Sequence, residues 1–139
     1  MLYNDLLLLY FERSNSLQWY WTLYVIVIGG LLGYSSFRLK RDLIKTILVC
    51  VMFSLFAYKN LDSIHDVTIQ RFATLRLIKE FKPLGPDAAE EKRMHEVLDP
   101  TLVPAEFEGM LGTRNFHILC DLLTIAALWI MESHRKKDA

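Results

Sequence analysis

The sequence predicts an all-α integral membrane protein, a helical bundle of three transmembrane helices. A short N-terminal interfacial helix precedes them, and an extended extramembrane helix continues out of the second span. Three observations lead there. Of 139 residues, 53% are apolar or aromatic and only 23% charged, with a mean hydropathy of +0.22, a composition unlike that of a freely soluble domain. Residues 17–37 contain no charge, enough helix to cover the ~30 Å hydrocarbon core. Finally, no Pro or Gly interrupts the chain between Lys40 and Lys82, so a helix entering there has no reason to stop at the membrane surface. The whole chain, residues 1–139, reads as a single membrane domain.

Residues 1–16 include Leu6 to Leu9 in a row but are too short to span, which suits an interfacial or core-packing helix. Their acids, and the lack of a basic leader and small-residue cleavage site, argue against a signal peptide. Ser16 is placed to cap the first span (17–37), and Trp19, Tyr20, Trp21 and Tyr24 put amphipathic rings at one end of it. A basic turn, Arg38, Lys40 and Arg41, leads to the second span (43–58), with Lys45 near its entry. The third span (114–131) follows Thr113 as a candidate cap and holds His117 and Asp121 inside an apolar run.

Between the second and third spans, residues 59–113 start as a helix. Leu61, Ile64, Val67, Phe72, Leu75, Ile78 and Phe81 form a stripe suited to packing on another helix. Pro83 to Pro86 end it. Asp87 can cap a short polar helix over 88–98, Asp99-Pro100 breaks it, and Pro104, Gly109 and Gly112 point to an irregular return to the bilayer.

The 16 Lys+Arg and 16 Asp+Glu cancel, which removes the net basic face that nucleic-acid binding needs. The charges are nevertheless segregated. The 38–42 turn holds three bases and one acid, and the 132–139 tail holds Arg135, Lys136 and Lys137 against Glu132 and Asp138. Residues 1–16 sum to −1, and residues 59–113 hold seven bases against ten acids. The positive-inside rule then places the N-terminus outside and the C-terminus in the cytoplasm of a cell membrane, with all three segments spanning.

His117, Cys120, Asp121 and Thr124 share one face of the third span, and His117 and Asp121 at i, i+4 are within reach of each other. Ionisable groups in lipid must face another helix, a cavity or a subunit axis. The face therefore reads either as a proton- or ion-handling stripe or as polar glue between helices. Arg71, inside the apolar stripe of 59–81, fits a paired or pore-facing position. Thr46, Cys50 and Ser54 in the second span, and Gly29 with Gly33 in the first, read as helix-packing faces. The two cysteines read as buried inert thiols rather than a redox or zinc motif. Asp62, His65 and Asp66 offer ligands from a single exposed turn, too few to close a metal site. Haem would need a symmetric dimer, because only His117 lies within a span. No cofactor is therefore expected.

Two main functions emerge. One is a small multi-pass homo-oligomer forming an ion- or proton-conducting pore lined by the third span. The other is a non-conducting anchor or regulatory subunit that docks a protein partner through 59–113. A membrane-embedded enzyme is a third reading, weakened because each candidate set comes from one helix.

Overall fold

The computed structural model describes residues 3–84, 86, 88–102 and 110–135. Among these residues there are four α-helices and no strand: α1 (Tyr3–Phe37), α2 (Leu43–Glu80), α3 (Ala88–Leu98) and α4 (Met110–Ser133), with a 3-10 turn at Asp99–Leu102. α1, α2 and α4 are each long and apolar enough to cross a membrane. The chain is thus an all-α bundle and a small membrane protein. α1 and α2 run antiparallel, as do α2 and α4, so Tyr10 meets Arg71 and Asn60 meets His117.

α1 differs from expectation. The N-terminal helix is not a separate interfacial element but the first turns of one 35-residue helix. Ser16 does not cap the span. Its Oγ donates to the Glu12 carbonyl at 3.0 Å, as Ser14 Oγ does to that of Tyr10 at 2.9 Å. Such bonds back along the helix leave it intact, and the first helix breaker in the sequence is Gly29. The N-terminal turns bury Tyr3, Leu6, Leu7 and Tyr10 against Leu75 and Ile78 of α2 and Leu102 of the 3-10 turn. They are core-packing, and they give the bundle a head that continues past the apolar spans.

α2 extends unbroken over 38 residues, about 57 Å. Its N-cap is Asp42, in extended conformation, whose carboxylate accepts from the Lys45 amide at 3.1 Å. Ile64, Val67, Leu75 and Ile78 of the expected stripe are buried. α3 occupies the residues expected of it, and the Asp99-Pro100 break becomes the 3-10 turn. Asp87, Pro104 and Gly109 lie outside the described residues. Thr113 does not cap α4 and Gly112 does not break it, because the helix begins at Met110. The apolar run marks where the lipid-compatible surface starts, and the hydrogen-bonded helix starts a turn earlier.

Most exposed side chains along the spans are apolar, among them Val25 and Ile26 on α1, Ile44, Leu48, Val51 and Leu55 on α2, and Leu119, Leu122, Leu123 and Ile130 on α4. A surface of this kind suits acyl chains and is not found on soluble monomers. Inside the spans, Tyr24, Phe53 and Ala57 form a second core, edged by Leu31, Cys120 and Ile125.

The two cores make the head separable from the spans. Ile78 is fully buried in the head, and Ile78→Ala is expected to cost about 2–5 kcal/mol. Hydrogen exchange should quicken over 3–14 and 88–102 while α4 stays protected; equal loosening of both regions would contradict two cores.

Candidate functional site

His117, Asp121 and Thr124 of α4 lie on its inner face, facing α1 and α2. His117 is fully buried and Thr124 nearly so. Tyr24 of α1 donates its hydroxyl to Asp121 Oδ1 at 2.6 Å and also reaches the His117 carbonyl at 3.3 Å. His117 Nδ1 meets Asp121 Oδ2 at 2.9 Å. With Nδ1–H donating to the carboxylate, Nε2 accepts from Asn60 Nδ2 of α2 at 3.3 Å. The imidazole packs on the Tyr24 ring, centroids 4.1 Å apart, and Trp21 sits beside both, 5.7 Å from the imidazole and 5.8 Å from the Tyr24 ring. The Asp121–His117 pair thus joins all three long helices, and each carboxylate oxygen takes a hydrogen bond. Asn60 Oδ1 is buried with no hydrogen-bond partner among the described residues.

The same construction recurs in the head. His95 Nδ1 meets Asp99 Oδ2 at 2.6 Å, Tyr3 of α1 donates to Asp99 Oδ1 at 3.0 Å, and the Tyr3 and His95 rings lie 4.4 Å apart. Phe81 completes a triangle of rings, 5.9 Å from His95 and 5.7 Å from Tyr3. Burial first, then the bond to Asp99 and its charge, push the Tyr3 hydroxyl up to about 12, so it remains a donor.

A third polar centre lies at the other end of the bundle. Glu132 is fully buried. Its Oε1 accepts from the Asp42 amide at 2.6 Å and its Oε2 from Thr46 Oγ1 at 2.9 Å. Arg135 pairs with Glu132 and donates to the Ser35 carbonyl, to Ser35 Oγ at 2.7 Å and to the Arg38 carbonyl at 3.0 Å. Arg38 lies 3.7 Å from Glu132 and bonds Thr46 and the Asp42 carbonyl at 3.1 Å each. Glu132 had counted only as a charge of the tail. It continues the inner face of α4 from His117 through Asp121, Thr124 and Leu128, a spacing legible in the sequence. Tyr24, read as an interface aromatic, and Asn60 gave no comparable signal.

Other expected site residues fall elsewhere. Thr124 Oγ1 bonds back to the Cys120 carbonyl at 2.8 Å. Arg71 lies in the head, where it donates to Tyr10 Oη at 3.0 Å and sits 5.3 Å over that ring, tying α2 to α1. Of the packing stripe on α2, Thr46 is buried, Cys50 half-buried and Ser54 exposed. Each i+4 step turns the helix about 40° beyond a full circle, so a strict i+4 stripe drifts off a face that instead runs Thr46, Phe53, Ala57, Asn60. The Gly29 and Gly33 pair is likewise no packing face within the bundle, since a Cβ at either would meet nothing within 4 Å. α1 presents Tyr24, Leu31 and Ser35 inward instead. Asp62 pairs with Lys59 at 2.6 Å, His65 lies 3.6 Å from Asp66, and no three potential metal ligands converge among the described residues.

A polar cavity of about 220 Å³ lies above His117, lined by Ser14, Gln18, Trp21, Thr68, Arg71 and Thr113. Below Asp121 the interior is largely apolar, filled by Tyr24, Phe53, Ala57, Ile125 and the nearly inaccessible Leu128, and the one hydroxyl there on α4, that of Thr124, is turned back to the Cys120 carbonyl. No known family model, curated protein or solved structure matches the chain.

Two predictions arise from the Glu132 centre. Glu132→Ala removes the counter-charge of the buried Arg135 and the acceptor of the Asp42 amide, and is expected to destabilise the bundle by about 3 kcal/mol, read as a lowered melting temperature in detergent. Asp42 behaves differently with pH. Its hydrogen bonds from Lys45 hold its carboxyl below the ordinary 3.8, so its charge stabilises the fold above that value and the benefit is lost as pH falls towards the lowered one. The stability gap between wild type and Asp42→Asn should therefore be full at pH 6 and close in acid; a gap that widens in acid would contradict this assignment.

Proposed function

We propose that the protein is a non-conducting membrane subunit, an anchor whose head, built on residues 59–113 and the start of α1, docks a protein partner. The observation that supports this most directly is that the inner face of α4 finds its partners within one chain. Asp121 is matched by Tyr24 and His117, so no subunit axis or water column is needed to satisfy it. The apolar fill between Asp121 and Glu132 is a further argument against a conducting path, and homo-oligomers are not required by the polar residues. The head offers a surface for docking. α3 carries a shallow groove formed by Met94, Val97 and Leu98, edged by Glu90 and Arg93, and Val97 is well exposed. The charge segregation supports insertion in a cell membrane with the head outside and the 38–42 turn in the cytoplasm.

Sealed vesicles with inserted protein should show no proton or cation flux above that of empty vesicles. Asp121→Asn should lower stability by about 1–3 kcal/mol without creating or abolishing flux. Specific conductance that Asp121→Asn removes would overturn this reading in favour of the pore. Photo-crosslinking from position 97 in native membranes should yield a heterologous adduct, and adducts formed only between copies of the chain would count against docking.

A further inference from the structure

The turn between α1 and α2 carries more positive charge than its internal contacts consume. Arg38 and Arg135 are committed to Glu132, Thr46 and nearby carbonyls. Arg41 has no hydrogen-bond or ion-pair partner among the described residues, and its Nε is also shielded from solvent. Lys45 pairs with Asp42 at 3.0 Å, but its side chain is 63% exposed, and contacts of that kind exchange readily. Arg41, Lys45 and the exposed Lys40 line an open cleft of about 520 Å³ with Tyr34, Phe37 and Asp42. Phe37 and Leu39 stand out from the same turn, 87% and 85% exposed.

This turn joins two apolar helices where they leave the membrane. Phe37 and Leu39, unfit for water, are at the depth where acyl chains begin. The cations beside them are at the depth of lipid phosphates. The cleft at the opposite end of the spans differs, because there Arg114 and His65 are accompanied by Asp62 in an otherwise largely apolar lining.

We propose that the cleft at the 38–42 turn binds the headgroup of an anionic phospholipid. The Arg41 guanidinium and the Lys45 ammonium hold the phosphate oxygens, Lys40 adds to the positive field, and Phe37 and Leu39 enter the acyl layer. Arg41 suits the role because its planar fork can give two parallel hydrogen bonds to one phosphate. The occupant follows from charge complementarity. With Arg38 committed to Glu132, Arg41 and Lys45 still line the cleft against the single carboxylate of Asp42, and the phosphodiester is the anion available at that depth.

The test uses the full chain purified in a neutral detergent and titrated separately with phosphatidylglycerol, phosphatidylcholine, inorganic phosphate and a soluble polyglutamate peptide. Retention is read by native mass spectrometry and stability by thermal unfolding. Phosphatidylglycerol should be retained and raise the unfolding temperature, whereas the other three should do neither at equal concentration. Retention should fall roughly fivefold for each cation removed, in Arg41→Gln and again in Arg41→Gln/Lys45→Gln. Arg114→Gln should match wild type. Arg41 makes no contact the fold needs, so Arg41→Gln with unchanged helicity keeps the test open even if the double variant unfolds. Equal retention of phosphatidylcholine, or phosphatidylglycerol binding unaffected by Arg41→Gln, would overturn the proposal. Stabilisation by phosphate alone would make it a simple anion site, and displacement of lipid by polyglutamate would make it an acidic-peptide site.

Discussion

A half-buried carboxylate between a tyrosine hydroxyl and an imidazole is the interaction on which the bundle depends, and it occurs twice. In each case His and Asp are four residues apart, the tyrosine comes from α1, and the two rings lie within 4.5 Å of each other, tilted by 32°. A carboxylate out of water must have its oxygens matched, and a tyrosine reaches one only at a single register. Tyr3 thus fixes α3 and its following turn against the start of α1, and Tyr24 fixes α4 against its middle. Ser35, held by Arg135, fixes the far end. Three polar levels along one helix locate every other element.

This arrangement suits a bundle surrounded by acyl chains. There, apolar contact between helices gains little over contact with lipid, so packing alone does not select a register, and hydrogen bonds and close fit do more of the selecting. The outer surface illustrates the point, with leucine and isoleucine displayed along all three spans. The head, where water returns, uses the ordinary logic of an apolar core, with Tyr3, Leu6, Leu7 and Tyr10 covered by α2.

Much of this architecture was legible in the residues. The uncharged run 17–37, the absence of breakers from Lys40 to Lys82 and the stripe from Ile64 to Ile78 sufficed for the long helices and the continuation of α2. The pairing of His117 with Asp121 was also legible, because i, i+4 geometry is local. What could not be read was the third member of each cluster, since Tyr24 and Asn60 lie far from position 117 in the chain, and tyrosine near a span end has another ready explanation. Ser16 misled because a serine inside a helix can return its hydroxyl to the preceding turn instead of starting a new helix. The glycine pair misled because a motif for close approach does not say what approaches, and the neighbouring helices here meet α1 on another side. Glu132 was hidden by its company, an acid among lysines and an arginine, although its spacing from Asp121 and Leu128 marks it as inward.

The Glu132 centre also bears on how the chain is made. The Asp42 amide and its carboxylate partner are ninety residues apart in sequence, and Ser35 is one hundred from Arg135. A ribosome therefore delivers the α1–α2 hairpin long before the groups that complete its turn exist. In that interval Arg38 has its bonds to Thr46 and the Asp42 carbonyl within the hairpin but lacks the Glu132 carboxylate. Arrival of α4 converts the hairpin to the finished bundle. Products stopped short of residue 132 lack the carboxylate that accepts from the Asp42 amide and Thr46, so nothing from α4 closes their turn.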